Sequence, residues 1–72
     1  CMQVDSKRTG GTLTVKLRGE LDHHSADYVR CEVDRLIEDK SVRQLVFDLS
    51  GLSFMDSSGI GVLLGRYRKM NK

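Results

Sequence analysis

Two stretches near the start of the chain alternate apolar with polar positions. Met2 and Val4 alternate with Gln3 and Asp5, and Leu13, Val15 and Leu17 alternate with Thr12, Thr14, Lys16 and Arg18. A period of two puts successive side chains on opposite faces of a pleated ribbon, so both stretches read as half-buried strands, near residues 2–5 and 12–18. Between them, Ser6 to Gly11 carries Thr9, Gly10 and Gly11. Paired glycines relieve the positive-φ demand of a tight return, which predicts a hairpin. After Gly19 the period changes. From about Ser25 to Lys40, Ala26, Val29, Val33, Leu36 and Ile37 recur at spacings of three and four, while Asp27, Glu32, Asp34, Arg35 and Glu38 point elsewhere. That is the pattern of an amphipathic surface helix. Cys31 falls nearly opposite the apolar stripe and is expected to be exposed.

Leu45, Val46, Phe47 and Leu49 form a dense apolar run with only Asp48 interrupting, which predicts a strand near residues 43–49, central and covered on both faces. The succession strand, helix, strand implies a right-handed crossover to a parallel neighbour. A polar turn at Ser50 and Gly51 then leads through Leu52, Phe54 and Met55 to Asp56-Ser57-Ser58-Gly59. Beyond it Ile60, Leu63, Leu64, Tyr67 and Met70 recur at helical spacing, giving a second helix near residues 58–70. Gly61 and Gly65 lie four apart on that helix. Lacking Cβ atoms, they are expected to let it approach the sheet or the first helix closely, at a propensity cost of about 1 kcal/mol each. The elements β-β-α-β-α thus predict an α/β fold, a mixed three-stranded sheet with two helices.

Composition narrows the function. Seventy-two residues allow one domain with a modest core. Cys1 and Cys31 show no CxxC or Cys/His spacing, so they read as reduced thiols rather than a zinc site or a disulfide. No apolar run approaches a membrane span and Cys1 opens directly onto alternating residues, which places the protein in the cytoplasm with no membrane partner. The net charge is +2, with twelve basic and ten acidic residues mixed along most of the chain. No basic-aromatic stripe marks a nucleic-acid surface, so no direct nucleic-acid partner is expected. Arg66, Arg68, Lys69 and Lys72 cluster at the end of the chain. Such a cluster can touch phosphate or an acidic partner, but basic residues also suit the last turn of a helix, and that is the favoured reading.

The string Leu52-Ser53-Phe54-Met55-Asp56-Ser57-Ser58-Gly59-Ile60-Gly61 carries the most chemistry. It follows a buried strand and opens a helix, so the Ser57 and Ser58 hydroxyls lie beside free backbone amides and the positive end of the helix dipole, where a phosphate is tolerated. On local pattern alone, Asp56, Ser57 and Ser58 more often serve only as helix caps. Asp22 sits where a cap or N-terminal loop residue of the first helix belongs. Gly59, Gly61 and Gly65 make a poor dinucleotide loop, because the third glycine comes one place late and no acidic residue follows about 20 positions on. A serine hydrolase lacks its GxSxG elbow. His23 and His24 point in different directions on either a helix or a strand, which disfavours joint metal ligation, and a loop role suits them better. No catalytic residue and no metal site are therefore assigned.

Two tracts change these odds. Gly19-Glu20-Leu21-Asp22-His23-His24 and Leu52-Ser53-Phe54-Met55-Asp56-Ser57-Ser58-Gly59, with Gly61 and Gly65-Arg66-Tyr67 after the second, resemble the two signature regions of STAS-domain anti-sigma factor antagonists, most closely those of the sporulation anti-sigma F factor. The resemblance covers essentially the whole chain. It implies a non-catalytic adaptor that binds an anti-sigma factor when unphosphorylated and so frees the sigma factor. The anti-sigma factor is itself a serine kinase and phosphorylates the serine directly after the aspartate, here Ser57. MgATP then belongs to the kinase, a separate serine phosphatase resets the switch, and this chain needs no cofactor. By the same resemblance Asp22, Asp56, Ser58 and Gly59, and the turn holding Gly19 and Glu20, border the switch in the partner-facing surface. A STAS domain continues past this helix with further strands and helices, so residues 1–72 are expected to form a partial STAS domain. The readings set beside this one are a STAS interaction module without phosphorylation and a nucleotide-binding protein.

Overall fold

A computed structural model describes residues 2–71, so the readings made for Cys1 and Lys72 lie outside the described residues. The elements are β1 (Gln3–Thr9), β2 (Thr12–Leu21), α1 (Ala26–Ile37), β3 (Gln44–Met55) and α2 (Ser57–Met70). They form the expected α/β arrangement, with sheet order β1-β2-β3. β1 runs antiparallel to β2, and β3 runs parallel to β2.

The hairpin is tighter than the alternation alone suggests. β1 continues through the exposed residues Ser6 to Thr9, and the return is only Gly10-Gly11, with Thr9 opposite Thr12 and Gly10 at φ +60°. Pairing in an edge strand needs only backbone groups, so polar side chains do not end it. β2 holds most of the core. Leu13, Val15, Leu17 and Leu21 are all at most 3% exposed, and they pack with Ala26, Val29 and Val33 of α1, with Val42, and with Val62 of α2. The stripe of α1 is therefore buried where its spacing puts it, with Leu36 and Ile37 half-buried at its end, while Cys31 is exposed. The helix stops at Ile37 rather than near residue 40. Beyond it the Asp39 carboxylate accepts from the Ser41 amide at 2.9 Å, a local turn that competes with further helical bonds.

Three expectations need correction. The apolar run of β3 predicts a central strand, but the central strand is β2. β3 lies at an edge of the described sheet, with Val46 40% and Phe54 51% exposed. Ser50 and Gly51 form no turn, because β3 passes straight through them to Met55. Lys16 pairs with Asp48 and Arg18 with Gly51, so one extra β3 residue is accommodated there, and a second between Gly19–Leu52 and Glu20–Phe54. A Cβ on Gly51 would stand 2.9 Å from the Leu17 carbonyl oxygen, so the glycine marks a bulge with close backbone approach.

The third correction concerns α2. Its inward residues are Gly59, Val62 and Arg66. Of the predicted stripe only Leu63 and Met70 are half-buried, and Ile60, Leu64 and Tyr67 are 49%, 51% and 67% exposed. Gly61 and Gly65 have no atoms near their missing Cβ positions, so neither permits a close approach. Gly59 does, since a Cβ there would meet Met55 Cγ at 2.6 Å and Leu21 Cγ at 2.8 Å. That contact sets which side of α2 meets the sheet. Arg66, 6% exposed, is then carried onto α1, where its Nε lies 3.0 Å from Asp34 Oδ1, while Lys69 Nζ lies 3.2 Å from Asp34 Oδ2. The Arg66 N–H groups are not aimed at the oxygen, so the pairing is ionic rather than a well-formed hydrogen bond.

Candidate functional site at the start of the second helix

The parallel pairing of β2 and β3 brings their carboxyl ends side by side, with Gly19 opposite Leu52, Glu20 opposite Phe54 and Leu21 opposite Met55. Each strand then feeds a helix, so the β2–α1 loop and the β3–α2 junction meet at one end of the sheet. The Asp56 amide donates to the Leu21 carbonyl at 3.2 Å, which fixes that meeting.

Asp56 is the N-cap of α2. Its backbone is extended, and its Oδ1 accepts from the Ser58 amide at 2.9 Å and the Gly59 amide at 3.3 Å. Two of the free amides of the first turn are thereby satisfied, as a capping aspartate does elsewhere. Ser57 is the first residue of α2 and is exposed, Ser58 is half-buried, and Gly59 is buried against Leu21 and Met55. The hydroxyl of Ser57 is thus open to an incoming group, at the positive end of a helix of 14 residues.

Asp22 turns its carboxylate onto its own loop, where Oδ1 accepts from the His24 amide at 2.9 Å and the Ser25 amide at 3.2 Å. Desolvation pushes this carboxyl up, but those two amides and the neighbouring imidazoles outweigh it, and the group stays below the ordinary carboxylate range. The cap position of α1 itself is Ser25, whose Oγ donates to the Glu20 carbonyl at 2.8 Å instead of bonding its own helix. Gly19 and Glu20 do not form a turn. Both lie within β2, where Gly19 takes φ +108° beside the second bulge and its carbonyl accepts from Ser53 Oγ at 3.2 Å. Only glycine adopts that conformation without strain.

One residue of this site was not legible from spacing. The period-based expectation separates His23 from His24, yet both occupy the turn after β2, where strand and helix periods do not apply. Their ring centroids are 4.0 Å apart, and His23 Nδ1 lies 4.0 Å from Asp56 Oδ2. No cluster of three or more His, Cys, Asp or Glu suited to a metal occurs among the described residues. A shallow hollow of about 460 Å³ beside the site is bordered by Met2, Glu20, Asp22, His24, Ser25 and Tyr28. Phe54, Met55 and Ile60, which flank Asp56 to Gly59, are all more than one-third exposed. No described helix is long and apolar enough to cross a membrane.

The model of the STAS domain matches residues 3–72. The chain belongs to the STAS domain family. This STAS chain is 45% identical, over 99% of its length, to an anti-sigma F factor antagonist of Paenibacillus polymyxa, of which it covers 61%. It also superposes on the anti-sigma factor antagonist SpoIIAA in its unphosphorylated form, with a TM-score of 0.78 at 37% identity over 99% of this chain and 64% of that one. On the phosphorylated form of SpoIIAA, a Bacillus cell-fate determinant, the TM-score is 0.76 at 37% identity, over 99% of this chain and 63% of that one. The STAS chain therefore spans less than two-thirds of the length of these relatives.

Proposed function

We propose that this STAS chain is the switch-bearing part of an anti-sigma factor antagonist, a non-catalytic adaptor of the cytoplasm whose state is set by phosphorylation of Ser57. The observation that carries the proposal is the exposed Ser57 hydroxyl, directly after the capping Asp56, at the end of the sheet where the two strands deliver both acidic loops. The names of the relatives support the same reading. Unphosphorylated, the chain binds an anti-sigma factor and frees a sigma factor. That partner is a serine kinase and holds the MgATP, and a serine phosphatase reverses the modification. Gly19, Glu20, Asp22, Asp56, Ser58 and Gly59 frame the contact, with Ser57 at its centre.

Magnitudes favour a local switch over refolding. A phosphoserine adds about 1.5 to 2 negative charges, and an anion at an exposed helix N-terminus gains only about 0.3 to 1 kcal/mol. That is far too little to rearrange the fold. The similar superposition of the chain on both forms of SpoIIAA supports this reading. Burying the same charge in an interface beside Asp22 and Asp56 costs several kcal/mol.

The test is incubation with the candidate kinase and MgATP, followed by mass spectrometry and affinity measurement. Phosphate is expected on the parent and on Ser58→Ala but not on Ser57→Ala, and Ser57→Ala keeps its binding. Ser57→Asp is expected to weaken kinase binding by roughly thirty- to seven-hundred-fold, corresponding to about two to four kcal/mol. Phosphorylation of Ser57→Ala at the parent rate, or undiminished binding of Ser57→Asp, contradicts the proposal. A chain that binds the kinase but never accepts phosphate is instead an interaction module.

A further inference from the structure

The carboxylate next to the switch serine has an unusual ionic neighbour. Asp56 spends Oδ1 on the Ser58 and Gly59 amides and presents Oδ2 to His23 Nδ1 at 4.0 Å. Among the described residues no lysine or arginine pairs with Asp56. The basic residues of α2, Arg66, Arg68 and Lys69, sit at its far end, roughly 15 Å away at 1.5 Å per residue. Among the described residues, the basic side chain within 4 Å of the Asp56 carboxylate is therefore an imidazole, a cation only when it takes up a proton. The groups facing His23 are Asp56 from the start of α2, and His24 and Asp22 from its own turn, with the exposed Glu20 at the end of β2. Asp22 is already engaged by two backbone amides.

A phosphate on Ser57 changes this balance. Consecutive Cα atoms are about 3.8 Å apart, so the new dianion is attached one residue along the chain from the carboxylate that His23 faces. Resting on the reading of Ser57 as the modified residue, we propose that His23 is the phosphate-responsive residue of this site: phosphorylation draws a proton from solvent onto its imidazole, and the imidazolium pairs with the phosphate and Asp56. The pairing fixes how much of the phosphate's charge a partner meets. Below the His23 midpoint the corner is partly neutralised, and above it the full dianion confronts the interface. Phosphorylated chain is accordingly refused by its partner more strongly as pH rises through that midpoint.

The experiment places phosphoserine at position 57 of the full chain by chemical synthesis, without a kinase, and follows the ring protons of both histidines and the ³¹P signal by NMR between about pH 5 and 9. Relative to the unmodified chain, the His23 ring signals are expected to titrate at higher pH, by an amount that the 69% exposure of the ring keeps modest. The rise is larger at His23 than at His24 and shrinks in high salt. Linkage is reciprocal, so the second phosphate ionisation lies lower in the parent than in phosphorylated His23→Gln, by less than the full His23 shift because only one of the phosphate's charges is gained in that step. The amide spectrum of His23→Gln checks that the fold is kept. An unmoved His23, a larger shift at His24, or identical ³¹P titrations with and without the imidazole overturn the proposal. Because the phosphate is installed chemically, those outcomes say nothing of which serine a kinase selects, and a kinase that ignores Ser57 leaves this measurement intact.

Discussion

Helix α1 buries Ala26, Val29 and Val33, the first three residues of its apolar stripe, whereas α2 turns Gly59, Val62 and Arg66 inward and leaves Ile60, Leu64 and Tyr67 about half or more exposed. Both helices have apolar residues at three- and four-residue spacing. In α1 that stripe is also the side facing β2, so burial and pattern coincide. In α2 the orientation comes from its first turn. The Asp56 amide is tied to Leu21, and Gly59 lies so close to Leu21 and Met55 that only a residue without a Cβ fits. Once that turn is set, the helix can only carry Val62 and Arg66 inward. Periodicity identifies a helix and its apolar side; which side meets the sheet depends on the residues that anchor its entry.

The contrast is most exposed at Asp34, the point where α1 receives the charge that α2 carries inward. Asp34→Ala leaves the nearly buried Arg66 guanidinium without its carboxylate, and truncating one member of such a pair costs about 3–5 kcal/mol, toward the lower figure here because Asp34 is 22% exposed. Total stabilities are only about 5–15 kcal/mol, so a large fraction of the urea midpoint, about one-fifth to three-fifths, is expected to vanish. The double variant Asp34→Leu/Arg66→Met, which removes both charges and fills the space, is expected to recover most of the loss. If Asp34→Ala unfolds like the parent, the pair does not hold α2 in this orientation.

Glycines on α2 give the next test. Gly59→Ala places a Cβ within 3 Å of Met55 and Leu21 side chains. Overpacking of this kind costs about 1–3 kcal/mol, softened only as far as those chains can shift. Gly61→Ala meets nothing within 4 Å and removes a poor helix former, so it is expected to stabilise by about 0.5–1 kcal/mol. Thermal or urea unfolding of the two variants should therefore move in opposite directions. The same sign for both would mean that the anchor at Gly59 is not what orients the helix.

Much of this was legible in the chain. The alternation of Leu13, Val15 and Leu17 gives the central strand's buried face, the stripe of α1 gives its packing, and the Asp-Ser-Ser-Gly string gives the capped start of α2. What escaped is physical rather than accidental. Hydropathy carries no strand order, so the apolar run of β3 suggested a centre where the sheet has an edge. Ser50 and Gly51 have the composition of a turn, but a bulge demands the same small residues. Arg66 looked like one member of a basic tail, because nothing local announces that Asp34 lies across from it. His23 sits in a turn, where neither period says what a side chain faces, and only the tertiary meeting of two strand ends brings it to Asp56.

The ends of the two helices supply the subtlest contrast. α2 closes with a group that does not titrate, the Asn71 amide donating to the Tyr67 carbonyl at 2.8 Å. α1 is followed by a carboxylate, Asp39, which accepts from Ser41 and pairs at 2.7 Å with Arg8 of β1, tying the hairpin to the exit of the helix. Hydrogen bonds from the Ser41 hydroxyl and amide, then from Arg8, lower the Asp39 carboxyl from 3.8 to about 2. The folded state therefore releases this proton more readily than the unfolded chain. The resulting stabilisation is complete above pH 3.8 and is lost as pH falls through about 2. Asp22 and Asp48 are shifted in the same direction, so the parent alone cannot isolate one group. Asp39→Asn can, because it keeps the size and removes the titration. Between about pH 4.5 and 2.5 the parent's urea midpoint is expected to fall more steeply than the variant's. The difference is small, since Asp39 is 54% exposed, and salt should narrow it further. A gap between parent and variant that stays constant across that range would show that the Asp39 carboxylate closes α1 by shape alone, as Asn71 closes α2.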